Sequence, residues 1–170
     1  KTADLEQLSA AGFIAVALDV NDATAIGQAV ERLGREAGRL DILINNAGYG
    51  GIAPLLDGGV EAIHRQFETN VYSLVGVTRA CFDLLRASKG LVVNIGSVSG
   101  VMATPYAGAY CASKAAVHAM CDALRMELAP FSIEVMEVQP GAIESNFGAN
   151  ASQHAEQLIS ESSPWWPLRE

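Results

Sequence analysis

Short apolar runs alternate with helical stretches along this chain, and each run ends in a polar or glycine-rich exit. Phe13-Ile-Ala-Val-Ala-Leu18, Leu40-Asp-Ile-Leu-Ile44, Leu91-Val-Val-Asn-Ile95 and Ile133-Glu-Val-Met-Glu-Val138 are the four runs. Runs of four to eight apolar residues without strict alternation suit strands buried on both faces. Between them, Ile26, Val30, Leu33 and Ala37 recur at helical spacing after the capping candidates Asn21 and Asp22, and Gly38 closes that helix. Further helices are predicted over Lys1–Ala11, from about Val60 to Ala87 with Ile63, Phe67, Val71, Leu74 and Phe82 inward, and from Ala107 to Ala129, where Pro130 stops it. Strand–helix alternation implies a parallel sheet with crossover helices on both faces, an α/β fold. In such sheets ligands sit beyond the carboxyl ends of the strands. Asp19, Asn45 to Gly48, Ser97 and Pro140-Gly141 directly follow the four runs, so four exits point at one crevice.

The helix from Ala107 to Ala129 carries Tyr110 and Lys114 in Tyr110-Cys-Ala-Ser-Lys114. Residues four apart share a helix face, and an ammonium beside a phenol favours the phenolate, lowering a pKa normally about 10. That makes Tyr110 a candidate proton donor and acceptor, with Ser97 thirteen residues upstream.

The chain has 170 residues, half of them hydrophobic and 18% charged, which suits a single globular unit, 1–170. A net charge of −8 argues against nucleic acid as the partner. Cys81, Cys111 and Cys121 contain no C-x-x-C, which fits a reducing compartment, and cytoplasm is the expected location. No apolar run reaches the roughly 18 residues of a membrane span. His64, His118 and His154 lack metal-ligand spacing, so no metal is expected. His118 follows Lys114 by four residues and can share its face; Cys111 projects about 100° away from Tyr110.

Asn45-Asn46-Ala47-Gly48, Asn70, Ser97, Tyr110-x-x-x-Lys114 and Pro140-Gly141, in this order, resemble the short-chain dehydrogenase/reductase family. The likeness runs from Phe13 to about Phe147. It implies a Rossmann-like three-layer α/β/α fold and hydride exchange between NAD(P)(H) and a ketone, aldehyde or alcohol. Residue by residue, the resemblance implies that Tyr110 is the general acid/base and that Ser97 binds the carbonyl oxygen. Lys114 then binds the nicotinamide ribose and biases Tyr110, and Asn70 holds a water linking Lys114 to solvent. Asp19 and Val20 meet the adenine, Asn45, Ala47 and Gly48 line the adenosine side, and Pro140, Gly141, Ile143 and Ser145 flank the nicotinamide.

The family's first two strands, with the T-G-x-x-x-G-x-G phosphate loop and the selector of NAD or NADP, have no counterpart here, nor does its last strand. Gly48-Tyr49-Gly50-Gly51 follows the wrong strand to replace that loop. The expectation is a fragment of a longer product, with 144–170 opening the substrate-binding loop region. The Phe13–Leu18 run would then lack its native neighbour. Asn45-Asn-Ala-Gly-Tyr-Gly-Gly and Asn94-Ile-Gly-Ser97-Val-Ser-Gly look similar to lipid-type members, which implies NADP in preference to NAD and a hydrophobic, lipid-like substrate. Trp165 and Trp166 can form a substrate lid or pack elsewhere. The Ala-rich Tyr110 helix resembles a dimer-forming helix of the family, so a homodimer or homotetramer is expected. Two other readings stand beside the enzyme: a non-catalytic NAD(P)-sensing or partner-binding member of the same fold, and an inactive fragment.

Overall fold

The computed structural model describes residues 2–143 and 161–168. Helices α1 (Thr2–Ala10) and α2 (Ala23–Ala37) precede strand β1 (Ile42–Asn45). Helix α3 (Leu55–Phe67), a π turn (Glu68–Tyr72), α4 (Ser73–Ala80) and α5 (Phe82–Ser88) lead to β2 (Leu91–Ile95). Helix α6 (Gly108–Leu128) then leads to β3 (Glu134–Val138). The three strands are parallel in the order β1-β2-β3, with Asn45 opposite Asn94 and Ile95 opposite Val138. Parallel neighbours joined by helical crossovers define the Rossmann-like α/β class.

The caps follow the sequence signals. Asp22, not Asn21, caps α2, its Oδ1 accepting from Thr24 N at 2.8 Å and Ala25 N at 3.2 Å. Gly38 ends α2 at φ 69°, the left-handed position that glycine adopts without penalty. The long helix predicted from Val60 to Ala87 begins just after a kink and is itself broken twice. Gly59 kinks α3 at φ 61°, the π turn follows Phe67, and Cys81 separates α4 from α5.

The Phe13–Leu18 strand does not form: residues 13–18 belong to no helix or strand. The reason is the missing hydrogen-bond partner. A lone segment has nothing to exchange its backbone bonds with, and Phe13, Ile14, Val16 and Leu18 stay exposed. Three strand exits, not four, therefore shape the site.

Alternation along the strands divides the sheet into two faces. Leu43, Val92 and Val135 point to the face covered by helices, where Leu85, Cys81, Leu128 and Ile133 close a core. A second cluster joins Val71 and Leu74 to Val117 and Cys121 of α6. On the opposite face Ile42 and Ile44 are 54% and 61% exposed and Met136 is 50% exposed. Apolar residues on both faces are the pattern of a parallel sheet with helices on each side.

Candidate active site

Beyond the ends of β1, β2 and β3 lies a cleft of about 690 Å³, within the size range of small-molecule sites. Asn46 and Gly48 come from the first exit, Gly96 to Ser99 from the second, and Pro140 to Ile143 from the third. Tyr110 and Lys114 reach it from α6. A smaller cavity of about 60 Å³ lies beside Tyr49 and Gln66; it has room for about two waters, not for a substrate.

Lys114 is buried at 8% exposure, and its Nζ donates to the Ile95 carbonyl at 2.6 Å. Its ammonium lies 5.9 Å from the centre of the Tyr110 ring, so helical spacing does bring the two together. Burial pushes the Lys114 pKa below the usual lysine range, while Glu137 and, less, Cys121 pull it back up. Ser97 is buried at the end of β2, and its Oγ accepts from Ser99 N at 3.1 Å as the cap of the Val98–Gly100 turn. The hydroxyl thus serves as a turn serine as well. With its oxygen engaged by that N–H, its own proton is directed to another acceptor.

Asn70 sits inside the π turn, 3% exposed. Its Oδ1 accepts from Tyr49 N at 3.1 Å, and its Nδ2 donates to Tyr49 O at 3.0 Å and to Ser113 Oγ at 3.1 Å. Ser113 Oγ in turn donates to Tyr110 O at 2.7 Å. The side chain therefore clasps the Tyr49 peptide to the first turn of α6. Ser73 Oγ, bonded back to Thr69 O at 2.5 Å, helps bend the helix there. Gly48 is pressed against this clasp: a Cβ there would lie 3.0 Å from Asn70 Oδ1.

Two contributors were missed in the sequence. Gln66, 1% exposed, accepts from Gly51 N at 2.7 Å and donates to Tyr49 O at 2.6 Å, holding the loop beside Asn70. Ser113 lies fully buried between Asn70 and Tyr110. The available signal was spacing: Gln66 is four residues before Asn70, and Ser113 is three after Tyr110.

Other expected residues lie elsewhere. The Asn45 side chain donates to Thr78 Oγ1 at 3.0 Å and to Asn94 Oδ1 at 2.8 Å, tying β1 to α4 and β2, so only its backbone can face a ligand. Ala47 is exposed on the loop. Asp19 and Val20 do not line the cleft; Asp19 Oδ1 accepts from Asn21 N at 2.9 Å in the turn before α2. Pro140, Gly141 and Ile143 line the cleft, with open space where a Gly141 side chain would be. Ser145 lies outside the described residues, as does most of the 144–170 region. Trp165 lines an adjoining cleft of about 580 Å³ together with Pro54, Leu55 and Tyr106. Among the described residues no three His, Cys, Asp or Glu side chains group as a metal site, and no helix is long and apolar enough to cross a membrane.

The donor set fits the nicotinamide end of a dinucleotide: a buried ammonium, a phenol and a hydroxyl ring an open cleft walled by strand-exit backbone. Residues 2–156 match the family model described as short chain dehydrogenase. A 3-ketodihydrosphingosine reductase of Bacteroides thetaiotaomicron is 41% identical over 78% of this chain and 50% of its own length. An NADPH-dependent 3-dehydrocapnine reductase of Ornithobacterium rhinotracheale is 37% identical over 82% of this chain and 52% of its own. The structure of NAD+-bound xylitol dehydrogenase superimposes with a TM-score of 0.82 at 29% identity, over 95% of this chain and 65% of that one. The chain spans about half the length of the curated relatives it matches.

Proposed function

The chain belongs to the short-chain dehydrogenase family, and from that premise we propose that the full-length protein is an NAD(P)(H)-dependent oxidoreductase interconverting a carbonyl and an alcohol. The observation that carries this reading is the convergence of Ser97, Tyr110 and Lys114 on one cleft at three strand exits. The bound nicotinamide supplies or accepts the hydride. Tyr110 gives the carbonyl oxygen its proton in reduction and takes it back in oxidation. The Ser97 O–H holds the same oxygen and stabilises charge that develops on it. Lys114 holds the ribose hydroxyls and places a positive charge beside the phenol. Asn70 keeps the Tyr49 loop and the start of α6 in register, and its family role as a water holder belongs to this proposal.

NADP is the preferred cofactor, supported by the NADPH-dependent relative. Met102, Val98 and Ile143 in the cleft, with Leu55, Leu56 and Trp165 beside it, support a hydrophobic keto-lipid substrate. A cytoplasmic homodimer or homotetramer completes the proposal.

The test follows NADPH absorbance in the full-length protein against long-chain and short polar ketones, with Tyr110→Phe alongside. Turnover of the long-chain ketones, reduced about 10²- to 10⁴-fold in the variant with cofactor affinity retained, is the expected result. Undiminished turnover by Tyr110→Phe overturns the mechanism; cofactor binding with no turnover of any ketone favours a sensor.

A further inference from the structure

A carboxylate lies buried beneath this cleft, and the chemistry above makes no use of it. Glu137 shares the helix-covered face of β3 with Val135, and its side chain is 10% exposed. Its Oε1 lies 2.9 Å from His118 Nε2, but the approach is off the ring N–H direction, so neither atom completes a hydrogen bond. Its Oε2 accepts from Gln139 Nε2 at 3.2 Å. Burying a carboxylate is costly without compensation, and this compensation is incomplete.

Room for the pair comes from two glycines. A Cβ on Gly96 would run into Glu137 Oε1, and one on Gly100 would lie 2.7 Å from His118 Nε2. Gly96 directly follows Ile95, whose carbonyl holds the Lys114 ammonium. The carboxylate thus packs one residue from the anchor of the cation. Helix α6 faces it with Lys114, His118 and Cys121 on successive turns, and Asp122 and Arg125 follow. The β2 exit and the Val98–Gly100 turn bring no titratable group.

Packing alone does not explain two buried titratable groups, because apolar residues of similar volume serve stability as well or better. We propose that Glu137, braced by His118, is the counter-charge of Lys114: a positioning residue that keeps the ammonium charged and fixed under the cleft. The pull of Glu137 on the Lys114 pKa, against the larger push of burial, agrees with this. The inference rests on the redox reading of Tyr110 and Lys114.

The experiment is Glu137→Gln in the full-length protein, reading two pH profiles: kcat for ketone reduction, and the NADPH dissociation constant by cofactor fluorescence. Removing the negative charge lets Lys114 lose its proton at lower pH. The alkaline fall in kcat and the alkaline weakening of NADPH should both move down by about one pH unit, and Glu137→Asp should restore part of the shift. If Glu137→Gln does not fold, the double variant Glu137→Leu with His118→Leu removes both groups while keeping the site apolar, and should show the same shift. A folded variant with both profiles unmoved overturns the inference and makes the pair a packing device. Wild-type protein that neither turns over ketones nor binds NADPH sinks the redox reading, and this inference with it.

Discussion

The corner where the π turn, the β2 exit and the start of α6 meet contrasts with the segment 13–20. In the corner every partner lies within this chain: Asn70 finds Tyr49 and Ser113, and Lys114 finds Ile95. In the segment the partner of a strand would be another strand, and none among the described residues pairs with it. Apolar content makes a strand possible; a hydrogen-bonded neighbour makes it form.

The largest expected effect breaks the corner. Asn70→Ala deletes the three hydrogen bonds of a buried side chain to Tyr49 and Ser113, which costs about 1–3 kcal/mol. It also frees the Tyr49 loop from α6, and a shift of about 1 Å at a reacting group can cost ~10²-fold in rate. We expect lower thermal stability together with a fall in kcat of that order. Directly after the contrasting segment, Asn21→Ala removes an exposed bond to Thr69 Oγ1 and should change stability by under about 0.5 kcal/mol. Equal effects from the two substitutions, in thermal melts and steady-state kinetics, would remove the distinction.

The same contrast explains what was legible in the sequence. Helix α6, β2, β3 and the cap Asp22 were readable because propensity and capping act within a few residues. Tyr110 and Lys114 were readable as neighbours because helical geometry fixes residues four apart. Gln66 and Ser113 were not, because their importance comes from loop backbone 15 to 17 residues away and a helix 43 residues away. The false strand at 13–18 was a correct reading of local chemistry that lacked its long-range partner.

The two faces of the sheet offer a smaller test. Val92 is fully buried against Leu85 and Ile133, so Val92→Ala should cost about 1–3 kcal/mol in this segment, as cavity-forming substitutions do. Ile44→Ser, on the open face, should cost under about 0.5 kcal/mol in the isolated segment. In the full-length protein Ile44→Ser should become costly if helices cover that face. Denaturant melts of both lengths decide it; an unchanged Ile44→Ser cost would mean that the face stays open.

The smallest effect is the pH dependence of stability, and it belongs to the corner and the core beside it, since residues 13–20 contain no lysine or cysteine. Burial holds Lys114 below its usual range, so in the window between its folded and unfolded values the unfolded chain binds more protons. Stability from this group therefore rises with pH across that window. Burial pushes the Cys81 and Cys121 thiols up, so from the ordinary thiol value, about 8.5, to their folded values the folded chain binds more protons. Their contribution is present below that range and is lost as pH rises through it. The two trends oppose each other in the alkaline range. Lys114→Met removes the rising one, so its melting temperature should fall more steeply than wild type above about pH 9. Cys121→Ala removes part of the falling one and should flatten the same curve. Parallel curves for all three proteins would show that these groups do not sense folding, and that the corner is held by neutral hydrogen bonds alone.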